Sequence, residues 1–379
     1  MHGERWWRPA FSIGFVLHSC AWGMYFAATR PLISKVLGGG SAALMILVGI
    51  EWIAAIFAIA GGYVADRFGR RFVTSLGLVG FLGFVGMSFS KNAMHFLLYA
   101  FVASVSWGFT WPSVVSPTVL SERTASEYGR ATVGAPLGWG IGSVMTGMLA
   151  NDLGFDGCLL LAGSLYLCAY AIFTAFYPRT SAEASSLRST EVLRLVAKIA
   201  RISVALTTIT AGVELGLNIY ALRLYEIVLQ TFPTTYANLA YGLLYGGIPC
   251  FLGSPAKLIA AKIAERMGYD EFASMVGIAY AITFLAMWFA PRMLFIVLWC
   301  LPLYPCLDIA AYSMVTSRAP TELKAFSAGA VLTSMSVGGG LVALTSPIVA
   351  SLGDFVGILV SIALLTISTM LIAVPKILE

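Results

Sequence analysis

The sequence predicts an all-α polytopic membrane protein with twelve transmembrane helices in two pseudo-symmetric six-helix halves. Three observations carry that prediction. Of 379 residues, 59% are hydrophobic and only 11% are charged, and the mean hydropathy is +0.86. That is more apolar surface than a soluble fold of this length can hide. The apolar residues fall into twelve runs long enough to cross a bilayer, separated by Gly, Pro and charge clusters. With the amino terminus placed in the cytoplasm and sides alternating, all of the 23 lysines and arginines except Arg30, Lys35, Lys91, Arg223 and Arg292 fall on the cytoplasmic side. Such a split satisfies the positive-inside rule, so both termini are expected in the cytoplasm and the chain in the plasma membrane.

The first span, α1, is expected at roughly residues 10–36. It begins close to Met1 but lacks a small-residue cleavage site and runs through Trp22, Tyr25 and Phe26, so it reads as a span and not as a signal peptide. The first half (residues 1–178) continues with α2 at roughly 41–64, α3 at 72–90, α4 at 94–120, α5 at 130–150 and α6 at 157–177. The longest polar connection follows at 179–201, a cytoplasmic linker carrying Arg179, Arg188, Arg194, Lys198 and Arg201. Within it Leu193, Val196, Ala197, Ile199 and Ala200 form the apolar side of a short helix. The second half (residues 202–379) holds α7 at roughly 202–229, α8 at 236–260, α9 at 272–290, α10 at 293–316, α11 at 324–350 and α12 at 355–374.

The halves echo one another in order. Asp66-Arg67-Phe68-Gly69 after α2 returns as Glu265-Arg266-Met267-Gly268 after α8, and Trp111-Pro112 in α4 as Tyr304-Pro305 in α10. Leu153-Gly154-Phe155 before α6 returns as Leu352-Gly353-Asp354-Phe355 before α12. An internal duplication with one repeat per half accounts for these offsets. The six cysteines all lie in apolar runs, with no Cys-x-x-Cys or His-rich cluster, which argues against disulfides and against a metal site. No phosphate-binding Walker loop and no catalytic triad is present, so neither ATP-driven transport nor an enzymatic role has support, and no cofactor is expected.

Between α2 and α3, residues 62–71 read GYVADRFGRR. This Gly-x-x-x-Asp-Arg-x-Gly-Arg-Arg hairpin between two spans resembles the cytoplasmic helix 2 to helix 3 loop of the major facilitator superfamily. Span count, six-plus-six division and the degenerate copy extend the resemblance over the whole chain. It implies a fold whose halves rock about a central cavity, working as a monomer in the lipid bilayer on a small-molecule substrate, with a proton or other coupling ion and no nucleic acid. By the same resemblance Gly62, Asp66, Arg67, Gly69, Arg70 and Arg71, with Glu265 and Arg266 in the copy, form a conformational latch. Asp66 would accept hydrogen bonds at a helix N-terminus, and the arginines would pair with acids at neighbouring helix ends such as Glu122. The bland reading is that these arginines only set topology. In α5, GAPLGWGIG (134–142) is similar to the glycine-rich helix 5 of drug and proton antiporters, with Ala135-Pro136 where that family has Gly-Pro. Close helix packing explains the same glycines equally well. The arginine common in helix 4 of such proteins is absent, since 96–119 contains no charge.

Ionisable groups at membrane depth are costly and mark candidate sites. Proton-coupling candidates are Glu51 in α2, Glu214 in α7, Asp308 in α10 and His18 in α1. Glu51 and Glu214 should lie near the midplane. For Glu51 an ion pair with Arg30 is an equal alternative, and Asp308 either pairs with basic groups at the cytoplasmic helix ends or faces the cavity. Substrate-binding candidates are Arg30, Arg223, Tyr25, Trp22 and Asn218. Arg30 and Arg223 occupy corresponding places in α1 and α7, where two forked cations could clamp an anion. Residues 220–223 with 232–236 also look like helix 7 and its outer loop in organophosphate and organic-anion members of the superfamily, and Tyr25 to Arg30 is the α1 counterpart. A helical wheel opposes the simplest clamp, because Arg223 lies half a turn off the Glu214 face and Glu226 is one turn beyond it. Asn218 shares the Glu214 face. His18, Trp22 and Tyr25 form one stripe of α1, read as packing or as cavity lining, and Trp107, Trp111, Trp139, Tyr241, Tyr245 and Tyr304 are further aromatics within spans.

The expected function is secondary transport of a small solute by alternating access, proton-coupled, with a small organic anion as first substrate class. Proton-coupled efflux of amphipathic or cationic compounds is the alternative, resting on α5, Glu51 and Glu214. A non-transporting membrane sensor or scaffold is the alternative of another class.

Overall fold

The computed structural model describes residues 7–178 and 189–378. The linker residues 179–188, with Arg179 and Arg188, lie outside the described residues. Among the described residues ten helical stretches are long and apolar enough to cross a membrane; one of them, Thr124–Ala175, holds both α5 and α6, and α7 completes the twelve. In chain order α1 is Trp7–Pro31 with a π turn at Leu32–Val36. The α2 span is Gly40–Ala55 and Ala58–Phe68, and α3 is Arg70–Leu76, Gly77–Val79 and Gly80–Ser88. The α4 span is Ala93–Val115 with the 3-10 turn Ser116–Val119. After the short helix Thr124–Ala131, α5 and α6 share the run Gly134–Ala175 and are divided at Gly154, whose φ of 72° and ψ of 167° break the helix.

In the second half α7 is Ser189–Thr231, so the described end of the predicted linker is a helical extension of α7. The α8 span is Thr234–Gly242, a π turn Leu243–Gly247, and Ile248–Met267. Then come α9, Tyr269–Phe289, and α10, split into Arg292–Trp299 and Leu303–Thr316. The 3-10 turn Thr321–Leu323 leads into α11, Lys324–Leu352, and α12 is Asp354–Leu378.

The duplication is visible in the backbone. Gly69 (φ 110°) and Gly268 (φ 100°) take the same left-handed turn at matching places of the two motif copies, and Gly154 and Gly353 do so before α6 and α12. A side chain is strained at such φ values, which is why glycine recurs there. Two large clusters of buried apolar residues, one mostly in each half, form the cores. Close helix seams join the elements. A Cβ on Gly138 or Gly142 would come within 2.2 Å or 2.1 Å of the Val16 or Cys20 carbonyl oxygen, so the glycines of α5 let it lie directly on α1. Gly140, between them, points at Cys250 of α8.

Candidate functional site

The end of the bundle carrying residues 62–71, the motif end, is where the halves are tied together. Asp66 is 3% exposed. Its Oδ2 accepts from the backbone N–H of Phe326 at 2.7 Å and its Oδ1 from that of Ala325 at 3.3 Å. Both N–H groups lie in the first turn of α11, so a first-half carboxylate caps a second-half helix. Arg70 donates to Asp66 at 2.7 Å and to the Thr321 carbonyl at 2.6 Å, spanning the same junction. Gly62 makes the approach possible, because a Cβ there would sit 2.3 Å from the Ala325 carbonyl oxygen. The degenerate copy makes the mirror-image contact, in which Glu265 accepts from the backbone N–H of Ser126, in the first turn of the helix Thr124–Ala131, at 2.8 Å. Arg71 donates to the Thr174 carbonyl at the end of α6 and Arg67 to the Tyr63 hydroxyl, while Arg266 is exposed. The expected pairing with Glu122 does not form. Arg70 donates to Asp66 and the Thr321 carbonyl and Arg71 to the Thr174 carbonyl, and Glu122 contributes its carbonyl to Tyr269.

Deeper in, toward the bundle centre, lies a second set of contacts, some of which cross between the halves. Asp308 of α10 pairs with Lys257 of α8 and accepts from the Tyr128 hydroxyl at 2.9 and 3.1 Å. Of the two readings of Asp308, pairing with a basic group is the one the geometry has. Trp111 of α4 donates to the Tyr312 hydroxyl at 3.2 Å.

Toward the far end, Arg30 forks onto Glu51 with bonds of 2.7 and 2.6 Å and lies 4.3 Å from the Phe26 ring centroid. Its side chain keeps 29% exposure against 9% for Glu51, so the carboxylate is the more buried partner, and the guanidinium also donates to the Thr29 hydroxyl at 2.9 Å. Tyr245, in the π turn of α8, is within electrostatic reach of both Arg30 and Glu214, and Glu214 is similarly near Tyr280 and Tyr304. Tyr245 and Tyr304 are each 48% exposed. Glu214 is half-buried, and no cation pairs with it among the described residues.

Other candidates are placed differently from expectation. Arg223 does not face Arg30: it donates to the carbonyls of Met287, Trp288 and Ala290, closing the C-terminal end of α9, with its guanidinium 4.8 Å from the Phe295 ring. Free carbonyls at a helix end carry partial negative charge and hold a cation well. No ion pair joins it to the exposed Glu226 among the described residues. The two-arginine clamp is therefore not assembled in this conformation. Asn218 bonds to the carbonyl of Glu214, one turn back, and not to its carboxylate. His18 is 3% exposed, accepts from Trp22 at 3.1 Å and stacks on Trp111 at 4.5 Å, inside an aromatic cluster with Tyr166, Tyr170 and Phe173. Trp22 and Tyr25 are buried in the same core, the Tyr25 hydroxyl lying beside Glu51 and Ser104 without completing a hydrogen bond. Sequence reasoning misses Lys257, Tyr128 and Tyr312. Lys257 does carry a signal, as a cation inside the apolar α8 run, but the topology count absorbs it among the cytoplasmic charges.

Comparison with known proteins places this geometry. The sequence profile of the Major Facilitator Superfamily matches residues 11–343. The 4-hydroxybenzoate transporter PcaK of Acinetobacter baylyi is 26% identical over 177 residues, 45% of this chain and 35% of that protein. The match thus spans about a third of the relative's length. Among solved structures, the human organic anion transporter MFSD10 superposes with a TM-score of 0.76 at 15% identity, over 98% of this chain and 100% of that one. The proton:xylose symporter XylE gives 0.72 at 13% identity (96% and 94%), and FucP in the outward conformation 0.71 at 13% (96% and 97%). The chain belongs to the Major Facilitator Superfamily and is a membrane transporter, not an enzyme.

Proposed function

We propose that the chain moves a small organic anion across the plasma membrane by alternating access, coupled to protons, with the motif end and both termini in the cytoplasm. The observation that carries this reading is the forked Arg30–Glu51 pair, a partly exposed arginine side chain held at membrane depth by a more buried carboxylate. Arginine stays charged, and a carboxylate substrate presents the same two oxygens as Glu51. Substrate and Glu51 therefore compete for one guanidinium. Phe26 beside Arg30, with the Trp139 ring tilted against it at 4.9 Å between centroids and Tyr245 nearby, suits an aromatic ring on that anion. A similar transporter is named for 4-hydroxybenzoate and a structural neighbour for organic anions, which supports the same class.

Tyr25 acts from behind Glu51, and His18 and Trp22 hold the α1 face rigid. Arg223 is a positioning residue for α9 in the conformation described. Asp66, Arg70, Gly62 and Gly69, mirrored by Glu265 and Gly268, latch the cytoplasmic end shut, so the cavity faces outward; Arg67, Arg71 and Arg266 contribute at the helix ends. The two six-helix halves, joined through 179–201, are the rocking bodies.

Proteoliposome exchange of radiolabelled benzoate and 4-hydroxybenzoate, with Arg30→Gln beside the wild type, tests the reading. Exchange that is lost in Arg30→Gln supports it, and absence of exchange for every carboxylate tried contradicts it. A second reading, efflux of amphipathic cations, is favoured by one observation, a Glu214 carboxyl near Tyr245 and Tyr304 with no cationic partner among the described residues. Exchange of lipophilic cations that depends on Glu214 would favour it.

A further inference from the structure

We infer that Lys257 is a second anion-binding group on the transport path, nearer the motif end than Arg30 and uncovered when that end opens; the inference rests on the organic-anion reading above. Lys257 lies on α8, 3% exposed, and donates to Asp308 Oδ2. Its ammonium is 4.9 Å from the centroid of the Tyr128 ring, a first-half aromatic whose face covers it. The Tyr128 hydroxyl donates to both Asp308 oxygens and its ring packs 4.6 Å from that of Tyr312, whose hydroxyl accepts from Trp111. Gly129 allows this approach, since a Cβ there would be 3.0 Å from the Cβ of Ala261 on α8.

Parting of the halves divides these contacts unequally. Lys257, Asp308 and Tyr312 travel with the second half, and Trp111 and Tyr128 with the first. The ion pair survives, while Asp308 loses its hydroxyl donor and Lys257 loses its aromatic cover. An ammonium has three N–H donors, of which Asp308 takes one. The others then face the newly opened path, about 15 Å from the motif end of α8 at 1.5 Å per residue. Arg30, 23 positions into α1 from Trp7, is roughly 20 Å farther from that end by the same rise. A carboxylate leaving Arg30 meets Lys257 next. Asp308 tempers the attraction, which suits release more than retention.

A purely structural pair behaves differently, because a buried ion pair can be replaced by neutral side chains of similar volume without loss. The test uses the full chain in proteoliposomes with labelled benzoate. The double variant Lys257→Met/Asp308→Asn removes both charges without orphaning either, and Lys257→Gln/Asp308→Asn serves if the first does not fold. With Arg30 intact, benzoate affinity followed by tryptophan fluorescence should stay within about twofold of wild type while exchange falls by about tenfold or more. Lys257→Arg should retain exchange. Wild-type exchange in the double variant overturns the inference alone. Failure of the wild-type protein to bind any carboxylate overturns the organic-anion reading, and this inference with it.

Discussion

Replacing Asp66 with alanine should open the motif end. The carboxylate contributes two bonds to the first turn of α11, at 2.7 and 3.3 Å, and holds Arg70 at 2.7 Å, all at 3% exposure. A lost helix cap costs about 0.5–2 kcal/mol and a charge-assisted buried bond about 1.5–3 kcal/mol. Arg70 keeps its bond to the Thr321 carbonyl and offsets part of that. The Asp66–Arg70 bond lies within the first half and weighs on both states, whereas the cap bonds, about 0.5–2 kcal/mol, are made only where the halves touch here, so their loss shifts the closed-to-open ratio by roughly 2- to 30-fold. Spin labels at Arg123 and Lys262, exposed positions of opposite halves at this end, report the change by pulsed dipolar distance measurement. The distribution should move to longer distances in Asp66→Ala, and by less in Asp66→Asn, which keeps one acceptor oxygen. An unchanged distribution in both variants, with the protein folded, would refute the latch argument.

Glu51→Gln removes the internal competitor for Arg30, so benzoate should bind more tightly than to the wild type; isothermal titration checks this, and equal or weaker binding contradicts it. Arg30→Lys should retain weak binding, and Arg30→Gln should abolish the anion-dependent thermal stabilisation, which for wild type is about 2.7 kcal/mol at 100 times the dissociation constant. Gly61→Ala places a Cβ 1.8 Å from the Phe109 carbonyl oxygen. Forcing α2 from α4 should cost about 1–3 kcal/mol, visible as a lowered melting temperature in detergent. Glu214→Gln should leave the fold intact, because no cation is left unpaired by the change, and it should reduce proton-driven accumulation more than carboxylate exchange.

The twelve spans are legible because apolar runs and their polar separators are local properties. Helix breaks are less so: Pro302 precedes the second segment of α10, but nothing in Ile56-Phe57 announces the interruption of α2. The kind of contact Asp66 makes, with a helix N-terminus, can be read from its motif, whereas its partner 260 residues away cannot. Arg30 and Arg223 look equivalent along the chain. Their fates differ because α2 offers Arg30 a carboxylate while the end of α9 offers Arg223 three carbonyls, and both are tertiary neighbours. Lys257 escapes notice because a lysine near the end of an apolar run looks like a topology signal, until Tyr128 and α10 are seen to bury it.

Carboxylate transport through Arg30 is tested most directly by uptake of labelled benzoate into proteoliposomes under an imposed proton gradient, with wild type and Arg30→Gln side by side. Accumulation above the equilibrium level is expected in wild type, with collapse when the gradient is dissipated, and none in Arg30→Gln. Accumulation that persists in Arg30→Gln, or a wild type that moves lipophilic cations and no carboxylate, would contradict it.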